Sequence, residues 1–447
     1  MPAQEANDTL TRVGRGTPMG ELFRRFWLPA LLSSELTADG APVRLRILGE
    51  DLIAFRDTTG RIGILDAYCS HRRAPLFFGR NEASGLRCVY HGWKFDADGR
   101  CVDLPNVADP KQVDAMKKVA RLTAYRTREA GGLAWIHMGS ADRVPAFPRF
   151  EWTEVPAGHT HVSRWLQRSN WLQGMEGEID TSHIGFLHQY FKAPAEFLAA
   201  EALQQDRSPV ITLRETDYGF TYGARRNYNN EFYWRVTQWL LPMYSAIPRA
   251  ADGPFTSGGR AWVPVDDQHT TSFSYRYRVD RPHTAAEVAE IESGFFFPPR
   301  VERTAVEMPH GYRIDTWLPT ARKDNDYLID RAMQKDVNFT GIWGVNEQDR
   351  ALQESMPSAD AASRGIIDRS REHLVSADLP IAAARRRLLA LARALADGIE
   401  PALASNGDAY QVRAVAKVCA VADFDEFRTR YAEEEKVPSM RSAEAKR

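Results

Sequence analysis

Cysteine is scarce in this chain, with four in 447 residues. That excludes a disulfide scaffold and makes a reducing cytoplasm the expected setting. Long apolar runs are missing too. None approaches the roughly 20 residues needed to span a bilayer, and the opening MPAQEANDTLTRVGRG has no apolar signal core. No membrane association is expected. Neither sign of charge is in excess: 58 Lys and Arg face 59 Asp and Glu, with no basic stripe, so a nucleic-acid partner is not expected either. There is no G-x-G-x-x-G turn after a strand, so the chain does not take hydride from a nicotinamide dinucleotide itself. Internal repeats are absent.

What remains is an ordinary globular composition, 43% hydrophobic and 26% charged, long enough for two domains. Residues 1–42 read as a helical segment, with Leu22, Phe23 and Phe26 on one face after Thr17-Pro18 until Pro29 stops the helix. From Val43 the period changes to two. VRLRIL, DLIAFRD and RIGILDAY, then Trp93, Val102 and Leu133 to Met138, predict a small all-β domain over 43–139. Pro145, Pro148 and Pro156 mark 140–158 as an extended linker. A second domain over 159–400 carries the strand-like ITLRETDYGFTYGARR, FYWRVTQWLL and TTSFSYRYRV, an antiparallel sheet. Helical signals dominate after about 325, including a helix capped by Asp378 and ended at Gly398. Residues 401–447 read as an extension whose tail, EEEKVPSMRSAEAKR, is expected to be disordered.

Two constellations carry chemistry. In the β domain, Cys69-x-His71 and Cys88-x2-His91 are separated by sixteen residues. Two loops, each offering a thiolate and an imidazole, can hold a [2Fe–2S] cluster with both cysteines on one iron and both histidines on the other. Zinc is the competitor, but its sites usually begin with two cysteines a few residues apart. Gly92-Trp93 would shield such a cluster from water. Cys101 and Cys419 have no ligand partner in sequence and read as buried small residues.

Further on, NWLQGMEGEIDTSHIGFLH places Asp180, His183 and His188 within nine positions. Two imidazoles beside a carboxylate suit divalent iron. On a regular helix His183 and His188 would stand about 140° apart, so the helix must loosen between them, with Gly185 a plausible place. Asp180 and His183 share a face and can touch, which makes Asp180 a partner that orients the imidazole rather than a ligand.

Together, LTRVGRGTPMGELFRRFW, APLFFGRNEASGLRCVYHGWKFDADGRCVDLP and the segment just quoted resemble the oxygenase subunit of phthalate-dioxygenase-like Rieske ring-hydroxylating oxygenases, up to roughly residue 400. The resemblance implies an α+β fold: an N-terminal Rieske domain, then a catalytic domain whose antiparallel sheet wraps around helices in helix-grip fashion. It implies Cys69, His71, Cys88 and His91 as cluster ligands, and His183 and His188 as ligands of a mononuclear Fe(II). It makes Asp349, in TGIWGVNEQDRALQESM, the third ligand, with Glu347, Asp360 and Glu354 as rivals. A homotrimer or stacked hexamer is implied, in which Asp180 bridges to a cluster histidine, His91, of a neighbour. Partners implied are dioxygen, a separate NAD(P)H-dependent reductase and a small aromatic substrate. A carboxylated substrate calls for arginine. Arg207 and Arg249 are the foremost candidates, alongside Arg225, Arg226 and Arg235, with Phe186, Tyr233, Trp234 and Trp239 as candidate walls. Dihydroxylation, mono-oxygenation and O- or N-demethylation are all open, and a plain Rieske electron carrier is the distant alternative.

Overall fold

The computed structural model describes residues 3–191, 198–248 and 257–437. Thr17 caps the first expected helix through a bond from the Gly20 N–H, and Pro18 fits its first turn. That helix ends at Phe23, however, well before Pro29. Trp27–Leu32 is instead a strand paired with Leu133–His137, and the pairing slips between Pro29 and Leu31, because proline has no N–H to give to a ladder. Residues 1–42 are therefore not a purely helical segment. They supply an edge of the β domain.

Strands Val43–Ile47, Glu50–Arg56 and Ile62–Asp66 form one small sheet, and four short strands between Arg80 and Asp103 form another. The domain is built of β-strands as expected, with one inserted helix, Pro110–Val119, capped by Asp109. The region read as a linker is also more than that. Phe150 and Trp152 are buried, and Glu151–Glu154 makes one helical turn.

The sheet of the second domain is antiparallel throughout. Its strands are β1 (Thr160–Gln167), β2 (Val210–Thr216), β3 (Gly219–Tyr228), β4 (Glu231–Leu240), β5 (Tyr244–Ile247), β6 (Ser257–Pro264), β7 (Thr270–Tyr277) and β8 (Val415–Cys419). The spatial order is β1-β7-β6-β5-β4-β3-β2, and β8 pairs with the first half of β4. The stretch after 401 is thus built into the second domain, and even Glu435 is buried. The expected disorder is wrong for its start, while residues 438–447 lie outside the described residues.

Helices α1 (Trp171–Ile179) and α4 (Leu379–Ala396) lie against this sheet, α3 (Val345–Gln353) packs on α1, and the short α2 (Ile184–Leu187) follows α1. Asn170 starts α1 by accepting the Leu172 N–H. A Cβ on Gly174 would stand 2.2 Å from the ring of Trp262 on β6, so glycine lets α1 press onto the sheet. Asp378 precedes α4, but its carboxylate takes the Val375 N–H rather than a helix N–H. A hairpin, Val301–Glu307 with Arg313–Pro319, was not foreseen. It joins the two domains through Arg44 with Asp315 (2.7 Å) and the Tyr312 hydroxyl on the Leu52 carbonyl. No described helix is long and apolar enough to cross a membrane.

Candidate metal centres

The first centre sits on two short loops. The Cys69 N–H bonds the Ala74 carbonyl, and the Cys88 N–H bonds the Trp93 carbonyl, so each loop closes on itself. Both cysteines are buried. The rings of His71 and His91 meet edge to face with centroids 4.5 Å apart, and Trp93 stacks on His71 at 4.5 Å. Trp93 is fixed by its indole N–H on Asn106. Gly92 takes φ +79°, where a Cβ would also strike Pro105. Two observations fit a bound cluster. His71 Nδ1 is buried without a hydrogen-bond partner. Burial pushes the Cys69 thiol up to about 12, with Cys88 alongside, so that a thiolate there at neutral pH needs a bound metal. Cys101 and Cys419 are buried, as expected of small core residues.

The second centre is assembled from α1, α2 and α3. The expected loosening between His183 and His188 is not there, at Gly185 or elsewhere: the two histidines flank the single helical turn α2. The break falls instead at Asp180, whose extended backbone ends α1 (φ −85°, ψ 117°). Ser182 gives both its N–H and its hydroxyl to Asp180 Oδ1, at 2.7 and 2.8 Å, and these local bonds compete with helix continuation. His183 and His188 bracket the short α2, and their imidazoles converge across it: His183 Nε2 and His188 Nε2 are 3.2 Å apart. Asp349 Oδ1 lies 3.6 Å from the first and 3.2 Å from the second. His183, His188 and Asp349 each place one ligating atom within 4.8 Å of the others, the one such group among the described residues.

Both imidazoles are oriented from behind. Asp180 Oδ2 is 3.2 Å from His183 Nδ1, and Gln348 Oε1 is 2.7 Å from His188 Nδ1. With each Nδ1 engaged, the Nε2 lone pairs face Asp349, which fits a mononuclear ion held by two imidazoles and a carboxylate. Burial alone would raise the Asp180 carboxyl, but the hydrogen bond and charge of His183 outweigh it and hold Asp180 low. Asp349 is held low in the same sense, by His188, His183 and Arg260 against burial. Gln348 was not foreseen; nothing in N-E-Q-D singles it out.

The rivals for the third ligand are otherwise engaged. Glu354 accepts the Tyr327 hydroxyl and the Arg168 N–H. Asp360 accepts the Ser363 N–H. Glu347 is buried outside the triad, and burial pushes its carboxyl up to about 7.

The sheet register sorts the arginines. Cross-strand partners share a face, so Tyr222, Ala224 and Arg226 of β3 lie beside Thr237, Arg235 and Tyr233 of β4. Trp239, Ser245 and Arg260 continue this face. It is the inner one, because Ser245 and Arg260 both bind Glu178 of α1. Arg225 and Trp234 are on the other face, bonded to the carbonyls of Ala422 and Val421. Arg207 is exposed, with its guanidinium 5.1 Å over the ring of the exposed Phe186, and Arg249 lies outside the described residues. Arg235 is half-buried on the inner face and gives one bond to the Pro248 carbonyl. Its charge reaches His183, where burial and, to a smaller degree, Arg235 oppose protonation, yet Asp180 and Asp349 outweigh both and hold the imidazole above its usual range. Arg260, paired with Glu178 and lying 3.3 Å over the Phe297 ring, was not foreseen.

Comparison with known proteins matches residues 26–122 to the Rieske [2Fe-2S] domain family and residues 136–447 to the LigXa C-terminal-domain-like family. The chain is 39% identical to the 3-chlorobenzoate-3,4-dioxygenase oxygenase subunit of Comamonas testosteroni, across 92% of this chain and 93% of that one. It is 37% identical to the phthalate 4,5-dioxygenase oxygenase subunit of Pseudomonas putida, across 87% and 86%. In fold it resembles the crystal structure of dicamba monooxygenase bound to dicamba (TM-score 0.55, 18% identity, covering 84% of this chain and 98% of that one).

Proposed function

We propose, from the premise that this chain belongs to the Rieske oxygenases as an oxygenase α subunit, that it hydroxylates a small aromatic carboxylate with electrons from a separate NAD(P)H-dependent reductase. It is an oxidoreductase that incorporates dioxygen, with a Rieske [2Fe–2S] cluster and a mononuclear iron as cofactors. When bound, these two groups supply stored electrons and open coordination positions for dioxygen. Cys69, Cys88, His71 and His91 would hold the first; His183, His188 and Asp349 would hold the second.

The observation that carries the substrate reading is Arg235. It lies on the inner face within electrostatic reach of His183, and among the described residues no carboxylate comes within 4.0 Å of its guanidinium. A half-buried guanidinium without a counter-ion favours an anionic ligand. The two relatives are named for 3-chlorobenzoate and phthalate, both aromatic carboxylates. Tyr233 and Trp239 stand on the same face as Arg235. Their sister candidate Trp234 does not.

Assembly as a homotrimer, alone or stacked into a hexamer, is part of the proposal, with Asp180 meeting His91 of the partner subunit. Its support is an exposed apolar tip beside the cluster loops, Phe78 (66% exposed), Val89 (57%) and Tyr90 (56%), while the Asp180 carboxylate itself remains 19% exposed. Product analysis with labelled dioxygen and a surrogate reductase tests the function, across aromatic carboxylates and aryl methyl ethers. Label in a ring-hydroxylated acid is expected. Turnover confined to methyl ethers, with loss of the methyl group, would replace hydroxylation by demethylation.

A further inference from the structure

We propose that Tyr222 and Arg226 are positioning residues: a clamp from β3 that fixes the Asp180 turn and so governs how Asp180 links the triad to a partner subunit. The inference rests on the reading of Asp180 as that link and adds what holds it in place.

A helix end leaves its last carbonyls without intrahelical partners. Two carbonyls at the end of α1 find theirs on the sheet. The Tyr222 hydroxyl donates to the Ile179 carbonyl at 2.8 Å, and Arg226 Nη2 donates to the Thr181 carbonyl at 2.7 Å. These carbonyls belong to the residues immediately before and after Asp180, so the turn is gripped on both sides of it. The two donors share one face of β3 because they are four residues apart on a strand, with only the methyl of Ala224 between them.

The front of the turn is fixed as well. Asp180 Oδ1 takes both Ser182 bonds, and Oδ2 faces His183. The carboxylate therefore has little freedom while the backbone stays still. If the backbone shifts, Asp180 moves relative to His183 and to the surface where a partner would meet it.

Arg226 is a costly residue to place here. It is fully buried, its Nε and Nη1 have no partner, and no described carboxylate lies within 4.0 Å. Burial, with Arg235 nearby, pushes its guanidinium down to about 10, so it remains cationic at neutral pH. A methionine or leucine would fill the space without that desolvation. What they would lack is the bond to the Thr181 carbonyl.

The test compares holoenzymes of the wild type, Tyr222→Phe, Arg226→Lys, Arg226→Met and Asp180→Asn. Three quantities are measured: iron per chain, the rate at which the reduced cluster reoxidises in one turnover, and exchange of the Ser182 amide, whose acceptor is Asp180. Iron is expected unchanged throughout. Arg226→Met should slow reoxidation at least tenfold and speed Ser182 exchange at least tenfold. Tyr222→Phe should do both by a few-fold, and Arg226→Lys, which keeps a donor, should recover most of the loss. Wild-type reoxidation and exchange in Tyr222→Phe and Arg226→Met, with Asp180→Asn slow, would overturn the clamp and leave the link standing. Wild-type reoxidation in Asp180→Asn would instead remove the link and the clamp with it. Loss of iron from Arg226→Met would move its role to the triad and also overturn the clamp. If Arg226→Met does not fold, Tyr222→Phe and Arg226→Lys decide the matter by the same measurements.

Discussion

Gln348 holds His188 from the side opposite Asp349: its amide oxygen lies 2.7 Å from His188 Nδ1, while Asp349 Oδ1 lies 3.2 Å from Nε2. The Gln348 amide is itself fixed by a bond from Nε2 to the Ile342 carbonyl. Adjacent residues of one helix thus serve the two nitrogens of one imidazole. Removing such an orienting partner usually costs about 10- to 100-fold in metal affinity. Gln348→Ala should lose mononuclear iron to a chelator at correspondingly lower concentration, with the cluster spectrum unchanged. Equal chelator resistance would remove Gln348 from the site.

Asp349→Ala is expected to abolish retention of the mononuclear iron, leaving about two irons per chain where the wild type has about three, as the cluster and single-ion stoichiometry requires. Glu347→Gln should keep about three on the same count. Iron analysis beside the visible spectrum separates the two. The reverse pattern would make Glu347 the ligand.

Cys69→Ser should remove the visible absorption of the cluster, because a hydroxyl does not replace a thiolate on iron, and should keep the mononuclear ion. A colourless wild-type protein containing zinc would mean that the Cys–His set holds zinc instead.

Arg235→Met should weaken binding of an aromatic carboxylate without affecting a neutral analogue of the same size. A hydrogen bond to a charged group contributes about 1.5–3 kcal/mol, which corresponds to about 10- to 100-fold in Kd. Titration of both ligands into the anaerobic enzyme gives the comparison. Parallel losses for both would make Arg235 a packing residue, and unchanged binding would direct attention to Arg207.

Gly174→Ala is expected to destabilise the fold by about 1–3 kcal/mol, the usual cost of overpacking, since its Cβ would lie 2.2 Å from the Trp262 ring. Chemical denaturation should show the lower midpoint. A wild-type midpoint would show that α1 can lift from the sheet without cost.

Local groupings were legible in the sequence. Cys69 with His71, Cys88 with His91, and Asp180 with His183 are each set by one turn of chain, so spacing alone limits what they can hold. The period-two alternation of 43–47 and the Thr17-Pro18 start also appear where expected, because turn chemistry and strand pleat act over a few residues. Tertiary structure decided the rest. Gln348 lies 160 residues beyond His188 and meets it only because α3 packs beside α1. Arg225 and Arg226 are chemically identical neighbours, and the pleat sends them to opposite faces. Which face is the inner one depends on where α1 lies, and that is fixed by the fit of Gly174 under Trp262 and by the pairing of Glu178 with Arg260. The sequence by itself thus determined which residues are grouped closely enough along the chain to share a metal, while only the family resemblance pointed to Asp349. Only the packing of the helices on one another and on the sheet determined where His183, His188 and Asp349 converge, and which arginine stands on the inner face near them with no carboxylate partner among the described residues.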